Sequence, residues 1–322
     1  MASARTCLLS FLLICIPTFA LALDDHQRAS SPLHPTKSIS HSPRSAPSEG
    51  YYNPLSNGGS MLTFVDGTFP PGQGEPLNII ISGNSDEAVL VDQETDGGLR
   101  NYWLSFDYAG ECLGQHAGSQ QAANLGDGNG ILNETDEIRY DYNDAQLGTC
   151  TETIEGGGHF RYWIQNGAKA NSGAIFMASS YELPLTDGHD IVSNGYNLGR
   201  DWIIGNITQT NIPTLNLTNS STYSGTTSYG GYTYSTSVQY VSGLLNNTSI
   251  GINHNITVQT SSSNATDGLV AVLEVKITEK PANSGYRDTE KLLELFILLS
   301  LFLCSPTIMG VLDLIRFGSV LD

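Results

Sequence analysis

The chain has 322 residues, enough for one large domain or two small ones, and 39% of them are hydrophobic, so it can bury a core. Charged residues make up 14% of the sequence, against about 25% in a typical soluble domain, and the net charge is −18. This balance argues against nucleic acids and anionic membranes as partners, since both carry negative charge.

The N-terminus has the pattern of a secretory signal peptide. Arg5 precedes an apolar run over residues 7–19, and Ala20-Leu21-Ala22 forms a small-x-small cleavage site. We therefore predict a signal peptide over residues 1–22 and a secreted, extracellular protein. Residues 23–55 are rich in Ser, Pro and His without apolar periodicity, which predicts a disordered linker.

Residues 56–280 are predicted to form one β-rich α+β domain with a mixed or antiparallel sheet and few short helices. Ser85-Asp86-Glu87 is typical of a helix start. The polar residues 166–173 predict a long connection within a β-hairpin. Apolar alternation and β-branched runs predict strands at residues 77–81, 101–109, 159–165, 174–182, 238–245, 250–259 and 269–276.

Cysteine usage supports an oxidising compartment. Cys7 and Cys15 are removed with the signal peptide, and Cys304 lies in an apolar tail. Cys112 and Cys150 then remain in the folded region, and we predict a disulfide between them. In the chain-entropy model, closing a loop of this length stabilises the fold by roughly 4 kcal/mol.

The composition changes between residues 206 and 266, which contain no Asp, Glu, Lys or Arg. This segment holds seven of the eight N-x-S/T sequons, so we expect exposed loops and outer strand faces there. Its Tyr/Ser/Gly stretch, residues 220–235, has a composition suited to carbohydrate or cell-wall contact, or to a glycosylated surface. The predicted N-glycosylation sites are Asn133, Asn206, Asn216, Asn219, Asn246, Asn247, Asn255 and Asn264.

Residues 281–322 form a spacer and an apolar tail. Residues 295–312 are uncharged but borderline in length for a membrane span. Asn283-Ser284-Gly285 and the following spacer fit a glycolipid-anchor signal, whereas the polar terminus does not. Three alternatives stay open: a tail anchor, a processed anchor signal, and a tail that is not a genuine part of the domain. Any membrane contact is expected only through this tail.

The stretch G-G-G-H-F-R-Y-W-I-Q-N-G, residues 156–167, raises the main functional question. Alternation places Phe160, Tyr162 and Ile164 on one face of a strand, which we predict to be the core face. His159, Arg161, Trp163 and Gln165 share the second face, which suits a cleft or a partly buried polar layer. A later stretch, residues 189–201, adds His189, Asp190, Arg200 and Asp201.

The order and spacing of several short pieces resemble the C-terminal domain of LssY, and most of all its secreted single-domain fungal version. The resemblance covers roughly residues 75–205 and places the chain in that family without implying a reaction. The pieces are G-E-P-L-N-I-I-I-S-G at 74–83, H-F-R-Y-W at 159–163, G-A-I-F-M-A-S-S-Y-E at 173–182, H-D-I at 189–191 and G-R-D-W-I-I-G at 199–205.

The sequence is compatible with two functions. The first is a non-catalytic extracellular module that binds a ligand, a carbohydrate or a cell-wall component. Here Arg161 and Arg200 pair with Asp190, Asp201 or Glu182 in a buried network that also includes His189. The alternative is a hydrolase or metal-dependent enzyme, with catalytic candidates His159, Arg161, His189, Asp190, Arg200 and Asp201, and with His159, His189 and Glu182 as a zinc set.

No cofactor is predicted, and the sequence carries no P-loop. It also lacks H-E-x-x-H and G-x-S-x-G, so neither a common zinc-protease helix nor a nucleophile elbow is indicated. An open cleft around the histidines and arginines would favour the enzyme, whereas burial and mutual pairing would favour the binding module.

Overall fold

The computed structural model describes residues 44–114 and 120–282, in which the apolar runs of the sequence form the centre of an eight-stranded sheet. A two-stranded sheet pairs β3 with β4. The strands are β1 Ile79–Ile81, β2 Tyr108–Gly110, β3 Ala122–Ala123, β4 Leu132–Asn133, β5 Asp136–Tyr140, β6 Gly157–Gly167, β7 Ala170–Glu182, β8 Thr222–Tyr229, β9 Tyr232–Thr248 and β10 Thr266–Glu279.

The strand order in the large sheet is β2-β5-β6-β7-β1-β10-β9-β8. β1 runs parallel to β10, and the other neighbours are antiparallel, so the sheet is mixed. Within the described residues the α-helices are short: α1 Leu99–Leu104, α2 Gly148–Glu155, α3 Gly195–Thr208 and α4 Asn255–Val258. The predicted class, a β-rich α+β domain with a mixed sheet, is confirmed.

Both faces of the sheet are covered. On one face, Phe160 and Met177 pack with Trp103 of α1 and Ile203 of α3. On the other face, Phe176 packs within a second cluster built from residues before β1, from the loops around β3 and from β10; this cluster includes Met61, Leu77, Leu125 and Val270. The central strands are therefore buried on both sides, although the sheet is mostly antiparallel.

The strand predicted at residues 101–109 is wrong over most of its length. Leu99, Tyr102, Trp103 and Phe106 are all buried, and they follow the i, i+3, i+4, i+7 spacing of an amphipathic helix. The chain therefore forms α1, and only the last residues of the predicted segment enter β2. Aromatic residues favour strands individually, but at helical spacing they give a helix an apolar face that packs on the core, and this packing outweighs their strand propensity.

Three further expectations need correction. Residues 166–173 are not a long loop, since β6 continues to Gly167 and β7 begins at Ala170, which leaves a two-residue turn. Residues 250–259 form turns and α4 instead of a strand, because Gly251 and His254 have positive φ angles that interrupt an extended chain. The predicted helix start at residues 85–87 opens a single 3-10 turn.

The linker predicted over residues 23–55 is too long at its C-terminal end. Within the described part, residues 44–55 pack on the domain. Tyr51 contacts the ring of Phe176, and the backbone of Tyr52 exchanges two hydrogen bonds with the Gln165 side chain, each 2.9 Å long. The remainder of the linker, the signal peptide and the tail beyond residue 282 lie outside the described residues.

The predicted disulfide is present. Cys112 and Cys150 are joined across 38 positions, with their Cα atoms 5.4 Å apart. It ties the turn after β2 to the first half of α2. Among the described helices, none has the length and apolar character needed to cross a membrane.

The predicted glycosylation sites all lie in the described residues, and six of the eight asparagines are exposed. Asn206 on α3 and Asn255 on α4 are partly buried. The expectation that this segment contains only loops and strands is thus wrong at these two positions, because α3 continues through Asn206.

We expect the double variant Cys112→Ser/Cys150→Ser to lower the free energy of unfolding by about 2–4 kcal/mol, because the unfolded chain gains the freedom of the opened loop. Urea unfolding under non-reducing conditions measures this loss. Reducing agent should bring the wild-type midpoint to that of the variant and leave the variant unchanged. Equal midpoints for the two proteins without reductant would contradict the expectation.

Candidate metal centre

The hairpin of β6 and β7 buries charged side chains as well as apolar ones. Phe160 and Tyr162 point into the core as the alternation predicts. His159 and Arg161 lie on the opposite face, where their exposed fractions are only 3% and 8%. An unpaired charge in such a place costs several kcal/mol, so the partners of these groups determine whether the layer is stable.

The register of β5 against β6 supplies one set of partners. Glu137 lies directly opposite Arg161, and Arg161 Nη2 donates to Glu137 Oε2 over 2.7 Å. Arg161 Nε also lies 3.5 Å from Glu134 Oε1. The partners expected for Arg161, which were Asp190, Asp201 or Glu182, are therefore wrong, because Glu137 of β5 and Glu134 just before it already lie beside the guanidinium.

A second arginine organises the layer from β5. Arg139 lies opposite His159 in the register and is 4% exposed. It donates to Glu111 over 3.1 Å and to Glu152 of α2 over 2.9 Å, and it also pairs with Glu137. One guanidinium thus holds carboxylates from three segments of the chain.

Glu182 lies at the point where both predicted histidines arrive. It is the last residue of β7, two positions beyond Ser180, which pairs with His159. Its Oε2 is 3.4 Å from His159 Nδ1 and 3.1 Å from Nε2 of His189, which the following loop brings in. Glu152 belongs to the same group, since Glu152, His159 and Glu182 each offer one ligand atom within 4.8 Å of the others. We call Glu152, His159, Glu182 and His189 the acceptor cluster.

The glycines that precede the strand allow this close approach. A Cβ on Gly156 would lie 2.5 Å from the carbonyl oxygen of Glu182, and one on Gly157 would lie 3.0 Å from Glu152 Cγ. A Cβ on Gly158 would meet the Tyr108 hydroxyl at 2.2 Å. Gly156 and Gly157 therefore serve close packing around the acceptor cluster, and Gly158 serves packing against Tyr108 on the other face of the sheet. None of the three forms a phosphate cradle, since a strand follows them.

Both imidazoles of the acceptor cluster are neutral at pH 7. Burial, followed by the charges of Arg139 and Arg161, lowers the pKa of His159 well below its usual value. Burial, followed by Arg139, lowers the pKa of His189 as well. His189 Nδ1 lies 3.3 Å from the Leu183 carbonyl, which can only accept, so the ring proton is placed on Nδ1.

The remaining nitrogen of His189 then presents a lone pair to a carboxylate oxygen. Glu182 Oε2, His159 Nδ1 and Glu152 Oε1 are all buried and make no hydrogen bond of acceptable geometry. The 3.1 Å separation is therefore a contact between two acceptor atoms and not an ion pair of a charged histidine. Arg139 Nη1 lies 3.7 Å from the same Glu182 oxygen. Such an arrangement is stable only with a proton or a cation between the acceptors.

The carboxylates show the same crowding. Burial raises the pKa of Glu152 to about 7, and Arg139 only partly offsets it. Burial and then the neighbouring Glu152 raise the pKa of Glu182 to about 8. In the absence of a cation, each carboxyl therefore retains a proton at a pH where an exposed glutamate is ionised.

Arg200 and Asp201 belong to a different network. Arg200 is fully buried and donates to Asp201 over 2.7 Å, to Asp267 over 2.8 Å and to the Leu269 carbonyl over 2.8 Å. The Tyr240 hydroxyl donates to Asp201. The expected pair of Arg200 with Asp201 is formed, but the single network joining Arg200 to His189 and Arg161 is wrong, because α3 turns Arg200 toward β9 and β10.

Of the candidates taken from the sequence, His159, His189 and Glu182 come together. Arg161 lies in the same layer, where Glu137 holds it. Asp190 follows His189 directly but turns away, with His254 Nδ1 2.7 Å from its Oδ1.

Sequence reasoning missed Glu152, Arg139 and Glu137. The sequence does contain a signal for Glu137 and Arg139. In D-E-I-R-Y, residues 136–140, alternation places both side chains on one face of a strand, as it does for His159 and Arg161 in H-F-R. For Glu152 none exists, because α2 is short and its position depends on the disulfide and on the glycines it contacts.

Comparison with protein-family models, with curated proteins and with solved structures finds no match to this chain.

Gly156→Ala should destabilise the fold by about 2–4 kcal/mol, since the added Cβ meets the backbone at Glu182 as well as straining φ. Gly130→Ala is the matched control, because Gly130 has φ +79, close to the +77 of Gly156, and nothing lies within 4 Å of its Cβ. The control should lose only about 1–2 kcal/mol. Urea unfolding measures both, and equal losses would show that the contact at Glu182 is unimportant.

The protein freed of divalent ions should lose stability as the pH rises from 6.5 to 8. Native Glu152 and Glu182 keep protons that the unfolded chain releases near 4.5, so their contribution is complete below that pH and is lost as the pH passes about 7 and 8. His159 and His189 have lowered pKa values, so the unfolded chain binds more protons at these residues near pH 6.5. They oppose the trend at the lower end of the interval, but the two carboxyls titrate over more of it and determine its sign.

We expect a fall of about 1–2 kcal/mol over the interval, measured by urea unfolding after chelation. Glu182→Gln should flatten the slope, because the amide does not titrate. Stability that stays constant or increases toward pH 8 in the wild type would contradict the assignment.

Proposed function

We propose that this protein is a secreted, metal-dependent hydrolase whose divalent ion, of the zinc class, is held by His159, His189 and Glu182. The observation that carries the proposal is the position of Glu182 Oε2, which lies 3.4 Å from His159 Nδ1 and 3.1 Å from His189 Nε2 without a hydrogen bond of acceptable geometry. In a tetrahedral zinc site with bonds of about 2.0–2.1 Å, ligand atoms lie about 3.3 Å apart. The 3.1 Å and 3.4 Å separations around Glu182 Oε2 match two of the three ligand–ligand distances of such a site. The group whose ligand atoms all lie within 4.8 Å of one another is Glu152, His159 and Glu182.

The donor chemistry supports zinc over harder cations. Two imidazole nitrogens and one carboxylate suit zinc, whereas calcium and magnesium prefer oxygen ligands throughout. Each imidazole also has an outer partner on its other nitrogen: the Leu183 carbonyl at 3.3 Å for His189 and the Ser180 hydroxyl at 3.2 Å for His159. Such partners orient metal-binding histidines and select the tautomer.

Glu152 supports a catalytic ion over a purely structural one. Two histidines and one carboxylate leave a fourth position for water in catalytic zinc sites. Glu152 Oε1 has no hydrogen-bond partner, while its Oε2 is held by Arg139. A carboxylate with a pKa of about 7 is suited to accept a proton from water near neutral pH. The side chains of Glu182 and His189 are 15% and 20% exposed and are the members of the acceptor cluster nearest to solvent.

Secretion and N-glycosylation are part of the proposal. The disulfide is compatible with an oxidising compartment, and the exposed asparagines of the sequons are accessible to glycans. Membership of the LssY-like family stays a prediction from the sequence.

A non-catalytic extracellular module that binds carbohydrate or a wall component is the second candidate function. The burial and pairing of Arg161 and Arg200 agree with it, as expected for arginines that stabilise the fold. It is also favoured by exposed aromatic side chains outside the acceptor cluster, among them Trp202 at 43% exposure.

Chelated wild-type protein should bind one zinc ion per chain, as measured by calorimetric titration and elemental analysis. His189→Ala should weaken binding at least about 100-fold, since losing a ligand exceeds the 10–100-fold cost of losing an outer partner. His254→Ala is the matched control, because this nearby histidine pairs with Asp190 and is not in the acceptor cluster. Its affinity should equal that of the wild type. Absence of binding by the wild type, or equal binding by His189→Ala, would overturn the metal assignment.

Glu152→Gln separates catalysis from metal binding. The variant should keep its zinc while hydrolysing chromogenic ester and amide substrates at least about 100-fold more slowly than the wild type, within the range expected for general-base catalysis. If Glu152→Gln binds zinc as the wild type does and also hydrolyses the substrates at the wild-type rate, the ion has a structural role.

A further inference from the structure

Four aromatic rings meet on the surface outside the acceptor cluster. Tyr140 contacts Tyr142 with ring centroids 4.9 Å apart and Trp202 at 6.3 Å, and Tyr181 contacts Trp202 at 5.5 Å. Trp202 is 43% exposed and Tyr142 is 38% exposed. We call Tyr140, Tyr142, Tyr181 and Trp202 the aromatic patch.

The aromatic patch lies on the opposite face of the sheet from the acceptor cluster. Tyr181 and Glu182 are neighbours on β7, so their side chains point to opposite faces. Tyr140 likewise alternates with Arg139 on β5 and packs on Tyr108. Trp202 comes from α3, whose next residues pack in the core on that face. A ligand of the patch therefore contacts the face of the sheet opposite His159 and Glu182, although the charge of Glu152 acts on Tyr142 and Tyr181.

The rings of the aromatic patch are inclined to one another, so they can contact a ligand on more than one of its sides. Trp202 stands at 89° to Tyr140 and at 66° to Tyr181, so the rings form a corner and not a flat stack. Aromatic faces in such an arrangement attract cations as well as apolar C–H groups. Trp202 is also the exposed tryptophan of three, since Trp103 and Trp163 are 1% and 3% exposed.

The charge around the aromatic patch is negative. Residues 141–160 contain no lysine or arginine, whereas Glu155, whose charge acts on Tyr142, is exposed. Asp144 is exposed two residues after Tyr142. Asp107 precedes Tyr108, whose ring packs on Tyr140, and its backbone carbonyl accepts from the Asp141 N–H at 2.8 Å. A positively charged ligand is attracted to this surface, and an anionic one is repelled.

We propose that the aromatic patch binds a polysaccharide of amino sugars whose amino groups carry positive charge. The rings contact the C–H faces of the sugar, and the acidic residues beside them interact with the ammonium groups. The inference rests on the second candidate function, extracellular carbohydrate binding, and does not depend on the metal centre.

The test is a calorimetric titration of chelated protein with a glucosamine hexamer. The N-acetylglucosamine hexamer, cellohexaose and a lysine hexamer are titrated in parallel. The glucosamine hexamer should bind at least tenfold more tightly than each of the others and should change tryptophan fluorescence. Equal binding of a neutral sugar would overturn the charge argument. Equal binding of the lysine hexamer would assign the surface to a cationic peptide and overturn the glycan.

Variants identify the surface. Trp202→Ala and Asp144→Asn should each lose at least tenfold in affinity for the glucosamine hexamer. Tyr229→Ala is the matched control, since Tyr229 is 39% exposed on β8 and lies outside the patch. Unchanged affinity in Trp202→Ala would overturn the proposal.

Loss of hexamer binding on chelation or in His189→Ala would place the ligand at the metal centre, and so would also overturn the patch. Retained binding in chelated protein that takes up no zinc would leave the patch standing while the proposed hydrolase fails. The two proposals therefore fail separately.

Discussion

The burial of the β6–β7 hairpin on both faces is the constraint on which the rest of the structure depends. One face is apolar and packs on α1 and α3. The other carries His159 and Arg161, which are nearly inaccessible to solvent, so the charge layer must be satisfied within the protein. β5 and α2 supply the partners: Arg139 of β5 pairs with Glu137 on its own strand and with Glu152 of α2.

The charges of the layer are paired unevenly. Arg161 and Arg139 have close carboxylate partners, and Arg139 Nη1 also lies 3.7 Å from Glu182 Oε2. Glu182 Oε2, His159 Nδ1 and Glu152 Oε1 make no hydrogen bond of acceptable geometry. A fold that required only charge pairing would gain nothing from this second arrangement, because each unmade hydrogen bond in the interior is costly. The proposed ion would account for the second arrangement, since a divalent cation would bind the buried acceptor atoms that have no hydrogen-bond donor.

Much of the hairpin could be predicted from local pattern. Alternation identified the core face of β6, and the cysteine count identified the disulfide. The helix at Tyr102 and Trp103 was predicted as a strand, because aromatic residues have a high strand propensity. The helix forms because its buried residues, at helical spacing, all pack on the core. The two-residue turn was missed because the polar composition of residues 166–173 also suits a loop.

The sequence by itself determined the secretory pattern, the disulfide partners and the β-rich class, because each depends on composition. It also determined that His159 and Arg161 lie on the same face of one strand, because side chains in a strand alternate with a period of two. Only the tertiary structure decided that His189 and Glu152 join His159 at Glu182 while Arg200 does not. Those positions depend on strand register and on the direction of α2 and α3, which join residues far apart in the chain and leave no local signal.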